Sequence, residues 1–325
     1  MNFSFFRRNT PSNLYTIAFY NLENLFDTDD APSKLDKDYT PNGLLRWGEK
    51  RYKKKVLQLA RTIAEIGRVT SHKVPVLVGI AEVENKQVLN DLLRSNPLQE
   101  TDLGFVHYDS PDERGIDTAL LYDRTHFEVL HSEPIALHIL NLNGQRDYTR
   151  DILYVHGKLN GEAIHIFVNH WPSRRDGTMV TDYKRIQAAD TILKTMNHIK
   201  EDQENPNYIV MGDFNDNPTS RSIKRLLETN ELYNPMEKLH DPSIRGSSSH
   251  RRSWFLFDQI ILSHNFLTFA KGTHSFDHAN IYDDQLLKVY KGKYKGNPLR
   301  TFSGRNYLGG QSDHFPVYIQ LKYHK

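Results

Sequence analysis

The chain has 325 residues, with 42 Lys+Arg against 40 Asp+Glu and a formal net charge of +2. That balance excludes a polybasic protein that holds nucleic acid by bulk charge alone. Cysteine is absent, which excludes disulfides, thiolate zinc sites, iron–sulfur clusters and a cysteine nucleophile.

No apolar run approaches the roughly 18 residues of a membrane span. The segment Met1 to Arg8 carries its basic pair after its apolar residues, so no signal peptide is expected, and a cytoplasmic location is the default expectation. Residues 1–12 read as an N-terminal extension. Strands and helices then interleave to the end of the chain with no composition break, so a single domain over 1–325 is expected.

In chain order, residues 14–20 (LYTIAFY) read as a strand ending in Asn21-Leu22-Glu23. An acidic loop rich in Asp, Pro and Lys follows. Val56, Leu59, Ala60, Ile63 and Ile66 then have the spacing of an amphipathic helix over 49–66. Residues 75–81 (PVLVGIA) are a short apolar run, as in a strand buried on both faces, and end in Glu82. Further strands are predicted at 103–108, 118–122, 127–130, 152–159 and 163–168. The last two are joined by the Asn160-Gly161 turn and so pair antiparallel. A helix is predicted over 182–198 and another from Thr219 or Ser220. Strands at 207–211, 254–262 and 315–321 complete the set. The expected class is α/β, with mixed sheets covered by helices.

The chemistry collects at strand ends. Glu23, Glu82, His170, Asp213 and Asn215 each follow a predicted strand, and Asp313 and His314 precede the last one. If that last strand runs antiparallel to its neighbours, all seven meet at one rim, where loops carry function on rigid supports. Carboxylates and amide oxygens without Cys form a hard donor set that suits Mg²⁺ or Mn²⁺ over zinc. Zinc-protease, nucleophile-elbow and P-loop signatures are absent. Ser312-Asp313-His314 is no triad, because adjacent extended side chains point to opposite faces. Each piece also has a plainer reading: the 212–218 segment as a turn, Glu23 as a solvated strand end, either histidine as one of 16. Asp258 is sharper. It interrupts the apolar run 254–262 and must find a partner, because burying a lone carboxylate is costly.

With those segments in view, the sequence resembles the endonuclease/exonuclease/phosphatase superfamily, the DNase I-like fold. The segments are Tyr20-Asn21-Leu22-Glu23-Asn24, Gly79-Ile80-Ala81-Glu82, Asn169-His170-Trp171-Pro172, Gly212-Asp213-Phe214-Asn215, Phe257-Asp258-Gln259 and Ser312-Asp313-His314, with Arg114 to Tyr122 as a further match. They fall in the family's order. The resemblance implies a four-layer α/β sandwich, two mixed β-sheets packed face to face with helices outside, and divalent-metal-dependent hydrolysis of a phosphoester. It implies Glu82 as the principal metal carboxylate, aided by Asn21, Glu23 and Asp313, with Mg²⁺ expected and Mn²⁺ as an alternative. Asp213 would activate the attacking water, Asn215 would hold phosphate and water, and His314, buttressed by Asp258, would stabilise the phosphoryl oxygen. His170 would contact the scissile phosphate or protonate the leaving group.

Residues 285–311 carry Lys288, Lys291, Lys293, Lys295, Arg300 and Arg305 with interleaved Tyr290, Tyr294, Phe302 and Tyr307, and no acidic residue. Such a mixture suits a surface that tracks phosphates and stacks bases, and equally a solvated lysine-rich loop. Arg114, Trp171, Arg174, Arg300 and Arg305 are the expected substrate contacts. The expected partner is a nucleic acid or another phosphoester substrate, bound by a monomer. The favoured activity is a phosphodiester hydrolase, a nuclease on DNA or RNA. The alternative is a phosphomonoesterase on a nucleotide, inositol phosphate or lipid headgroup, and a non-catalytic nucleic-acid-binding module ranks last.

Overall fold

The structure, a computed structural model, describes residues 13–31, 34–175, 177–251 and 253–325. The expected extension at 1–12 lies outside the described residues. Twelve strands form two six-stranded mixed sheets. The first sheet holds β1 (Leu14–Leu25), β2 (Leu77–Val83), β3 (Leu103–His107), β4 (Asp117–Asp123), β11 (His274–Ile281) and β12 (Val317–Tyr323). The second holds β5 (Phe127–Ile135), β6 (Ile152–Leu159), β7 (Glu162–His170), β8 (Tyr208–Asp213), β9 (Leu232–Tyr233) and β10 (Asp258–Ser263). The orders are β11-β12-β1-β2-β4-β3 and β9-β10-β8-β7-β6-β5.

Side-chain alternation produces the layers. In β1, Ile17 and Phe19 point into the core between the sheets, alongside Ile166, Val168, Ile209, Met211 and Ile260 of the second sheet. Their neighbours Ala18 and Tyr20 point outward, onto α1 (Glu49–Glu65) and α2 (Lys86–Leu93). On the far side, Phe167, Val210 and Ile261 pack against α3 (Asp182–Asp202) and α4 (Arg221–Leu227). This is the four-layer sandwich that the resemblance implied. At Gly79 the sheets close in: a Cβ there would lie 2.5 Å from Met211 Sδ. Among the described residues no helix is long and apolar enough to cross a membrane.

Two features position the site. β12 runs antiparallel to β1 and β11, so the residues before it reach the rim where β1 and β2, parallel to each other, end. β8 is parallel to β7 and antiparallel to β10, which places Asp213 beside His170 on one side and Asp258 on the other. The strand expected over 254–262 is a correction. Ser253–Phe255 belongs to a separate hairpin with Ser248–His250, and β10 starts afresh at Asp258. The apolar run hides the break because Leu256 is buried within it.

Candidate active site

One cavity of about 370 Å³ opens at this rim, lined by Glu23, Asn24, Glu82, Arg114, Arg150, His170, Ser173, Arg175, Asp213, Asn215, Arg300, Asp313 and His314. Four of these residues hold backbone geometry that L side chains rarely adopt: Glu23 at φ 49°, Asn24 at 52°, Glu82 at 63° and Asn215 at 49°. Strain of this kind persists where the surroundings over-determine it, and it gathers at functional sites. The turn after β8 is equally constrained, since a Cβ on Gly212 would sit 2.5 Å from Asn169.

The buried carboxylate in the apolar run has its partner. Asp258 has no exposed surface, and its Oδ2 lies 2.6 Å from His314 Nδ1. Burial alone would disfavour charging His314, but Asp258 outweighs it, with Asp213 and Asp313 adding to the effect, and the imidazole is held well above its ordinary pKa. Its charged form is thereby favoured. Its Nε2 faces Asp213 Oδ2 at 3.9 Å. Burial pushes Asp213 up to about 6, against the pull of His314. Its two oxygens are oriented by Asn215 N (2.9 Å) and by the Asn21 side-chain amide (3.0 Å). Ser312 stands outside any relay: its hydroxyl donates to the Asn21 carbonyl and accepts from His314 N.

His170 differs. It is buried, and burial, followed by Arg150, Arg114 and His314, holds it well below its ordinary pKa. It is neutral, so its approaches to Glu82 (3.7 Å) and Asp213 (3.8 Å) are not ion pairs. It lines the cavity where it was expected to contact the scissile phosphate or protonate the leaving group. A neutral ring retains one N–H with which to donate a hydrogen bond.

Further carboxylates line the same cavity. Glu82 accepts from Asn24 N at 2.8 Å. Glu23 accepts from Thr301 N at 2.6 Å and lies 3.4 Å from Arg300 Nε, and Arg300 also pairs with Asp313. Burial, then Asp313, raises the Glu23 pKa. Asn21 is spent inside the protein, since its oxygen takes Glu23 N and its amide takes Asp213. Both polar atoms of the Asn21 side chain thus already have protein partners, one of them Asp213.

The donor set fits a hard divalent ion: Glu82, Asp313 and Glu23 bring oxygen ligands to one cavity, without sulfur. Asp213, Asp258 and His314 also have ligand atoms within 4.8 Å of one another. There, however, the one bond between Asp258 and a charged imidazole accounts for the grouping, and a protonated His offers no lone pair to a metal.

The substrate contacts divide. Arg114 and Arg300 line the cavity. Trp171 is a correction, because its ring has no exposed surface, donates from Nε1 to Asn169 Oδ1 (3.0 Å) and meets Phe214 edge-on. An indole is drawn into an apolar interior whenever its N–H finds an acceptor. Arg174 is held back by Asp216 and the Asn215 carbonyl, over the Phe257 ring. Arg305 sits exposed at the turn of the Phe302–Ser303/Asn306–Tyr307 hairpin, outside the cavity lining.

Sequence reasoning missed Arg150 and Lys55. Arg150 is buried against Asp112 (3.0 Å) and the Trp171 carbonyl (3.0 Å), and it faces the cavity. Lys55 is buried under Glu23 and donates to the Glu23 carbonyl and to Thr301 Oγ1. A signal existed for Lys55 alone: it falls on the helical stripe of Tyr52, Val56 and Leu59.

The sequence matches the family described as "Endonuclease/Exonuclease/phosphatase family" over residues 16–323. The chain belongs to this family. Its members hydrolyse phosphoester bonds with the help of a divalent metal, and the chain is a phosphoester hydrolase. No curated protein sequence matches it. Among solved structures, it is similar to a Bacteroides thetaiotaomicron mannosyl-6-phosphatase, with TM-score 0.58, 16% identity, and 94% of this chain and 99% of the other covered. It is also similar to a humanized D. rerio TDP2 (0.59, 16%, 95% and 99%) and to a truncated Caenorhabditis elegans TDP2 (0.57, 13%, 95% and 97%). At these identities the likeness establishes the fold that this endonuclease/exonuclease/phosphatase chain shares with them.

Proposed function

We propose that the protein is a Mg²⁺-dependent phosphodiester hydrolase acting on nucleic acid. The observation that carries this reading is the company kept in one cavity. Asp213, raised to about 6, and His314, paired with Asp258, line it together with the Glu82, Asp313 and Glu23 carboxylates. A base works best when its pKa lies near the working pH. Asp213 takes the proton of the attacking water, and Asn215 and Asn21 keep its carboxylate aimed. His314 donates to a non-bridging phosphoryl oxygen as charge builds there, and Arg114 and Arg150 meet the same charge from the cavity lining. Glu82, Asp313 and Glu23 would hold the divalent ion, whose chemistry when bound is to neutralise the phosphoryl oxygens.

Support for a polymeric substrate comes from residues 290–295. Tyr290, Lys291, Lys293, Tyr294 and Lys295 are all exposed there, with Tyr290 at 88% and Tyr294 at 52%. Phosphate attraction and base stacking use these two residue types. A second reading, phosphomonoester hydrolysis, is favoured by the density of Arg114, Arg150, Arg175 and Arg300 about one cavity, which suits a dianion.

The test is hydrolysis of plasmid DNA, single-stranded RNA, a small diester and a small monoester with Mg²⁺ or Mn²⁺, with Asp213→Ala run in parallel. Polymer cleavage that vanishes with the substitution and with EDTA supports the proposal. Turnover of the monoester alone replaces it with the second reading.

A further inference from the structure

A second group of metal-capable side chains lies apart from the catalytic cavity, at the β3–β4 connection. His107 ends β3, Asp117 opens β4 and Asp109 lies between them, and one ligand atom from each falls within 4.8 Å of the other two. The His107 side chain has no exposed surface, and neither ring nitrogen has a hydrogen-bond partner among the described residues. Leaving buried polar atoms unpaired costs about 1–3 kcal/mol each. Nε2 lies 3.3 Å from Asp117 Oδ2, close enough for a hydrogen bond but not aligned for one. That spacing is the edge expected between two ligands that each lie about 2.0–2.1 Å from one tetrahedral centre.

The surroundings point the same way. Asp117 Oδ1 accepts from Ser110 N at 2.9 Å, which fixes the carboxylate with Oδ2 turned to the imidazole. Bonds of that sort orient metal ligands from behind. Asp151 shares a small cavity with Asp117 and Ser110, and its buried Oδ1 also lacks a partner among the described residues. Asp109 is exposed and leaves a way in from solvent.

We propose that His107, Asp109 and Asp117 bind a divalent transition-metal ion, Zn²⁺ by preference, at a site separate from the catalytic cavity. One imidazole with two carboxylates suits Zn²⁺ better than Mg²⁺ or Ca²⁺, which take all-oxygen sets. The ion fastens the root of the loop 108–116. Asp112, in that loop, holds Arg150 at 3.0 Å and accepts from Arg114 N at 3.0 Å, and both arginines line the catalytic cavity. Occupancy here thus steadies the cationic wall of the active site without touching substrate.

The experiment is calorimetric titration of the full chain with Zn²⁺, in the Glu82→Gln background and in excess Mg²⁺, so that the oxygen-lined catalytic cavity does not take up Zn²⁺. One equivalent of Zn²⁺ is expected, with a Zn²⁺-dependent rise in Tm. His107→Gln abolishes both, and Asp109→Asn weakens binding on the order of 10- to 100-fold, the scale for disturbing a metal's ligand shell. Absence of Zn²⁺ binding in the Glu82→Gln chain overturns the proposal, as does binding unchanged by Asp109→Asn. Because Asp109 is exposed, that variant keeps the test decisive if His107→Gln fails to fold.

Discussion

Asp216 follows Asn215 directly and ties the catalytic turn to the second helical layer, so its removal tests how the turn is held. It is 1% exposed and accepts from Arg185 Nε (2.8 Å), from Ser222 Oγ (2.5 Å) and from Arg174, while its carbonyl takes Gln259 Nε2 (2.7 Å). Asp216→Asn keeps the shape and removes the charge. Arg174 retains some exposure and can turn to water. Arg185 has none, and its other partners, the Thr181 hydroxyl and the carbonyls of Thr178 and Pro172, are neutral. An uncompensated buried guanidinium costs about 3–5 kcal/mol. At about 2 °C per kcal/mol, the low end for large domains, Tm should fall by about 6–10 °C in a calorimetric scan. Replacing both partners, Asp216→Asn with Arg185→Met, should recover much of that loss, because an apolar side chain of similar size needs no counter-charge. A fall of under about 2 °C in the single variant, or a double variant at the sum of the two single losses, would refute the reasoning.

His165 accepts from the Tyr154 hydroxyl at 2.7 Å, donates to Gln203 Oε1 at 2.8 Å and stacks on His156, and burial pushes its pKa down to about 4. The unfolded imidazole takes up its proton near pH 6.5 and the folded one near 4, so stability is complete above 6.5 and falls by up to about 3 kcal/mol as pH drops through that window. His165→Gln should flatten urea midpoints across it, and a slope equal to the parent's would count against the assignment. Trp171→Phe strands the Asn169 oxygen and should cost about 1–3 kcal/mol by urea unfolding while leaving KM unchanged. A raised KM with unaltered stability would return the indole to the substrate. Replacing Lys291, Lys293 and Lys295 by Ala should lower the slope of log K against log salt for single-stranded nucleic acid by up to about 2, at roughly 0.7 per phosphate contact. Small-diester turnover should stay the same. An unaltered salt slope would remove the 290–295 loop from the substrate path.

Local pattern determined a good deal. The strand over 152–159 was readable in full because a tight Asn160-Gly161 turn and a run of β-formers mark both its ends. Helix α1 was readable from a stripe that repeats every three or four residues. β11 was not, because this edge strand, HSFDHANI, carries polar residues where a central strand would carry valines, and α2 was too short for its periodicity to stand out. The separation of Ser253–Phe255 from β10 was also invisible, since hydrophobicity reports burial and not which sheet does the burying.

The same division runs through the site. Glu82, Asp213 and His314 stood out because they sit at the margins of apolar strands within segments that match one family in order. Asp258 announced a partner by its cost, although its register opposite Asp213 came from sheet pairing. What only the tertiary structure decided was direction and company. Trp171 turns inward, Arg174 turns to Asp216, Lys55 rises through the helix layer to Glu23, and Arg150 crosses from the other sheet to the cavity. Those choices depend on contacts between residues tens to hundreds of positions apart, where burial and charge are set by neighbours that the local sequence does not contain.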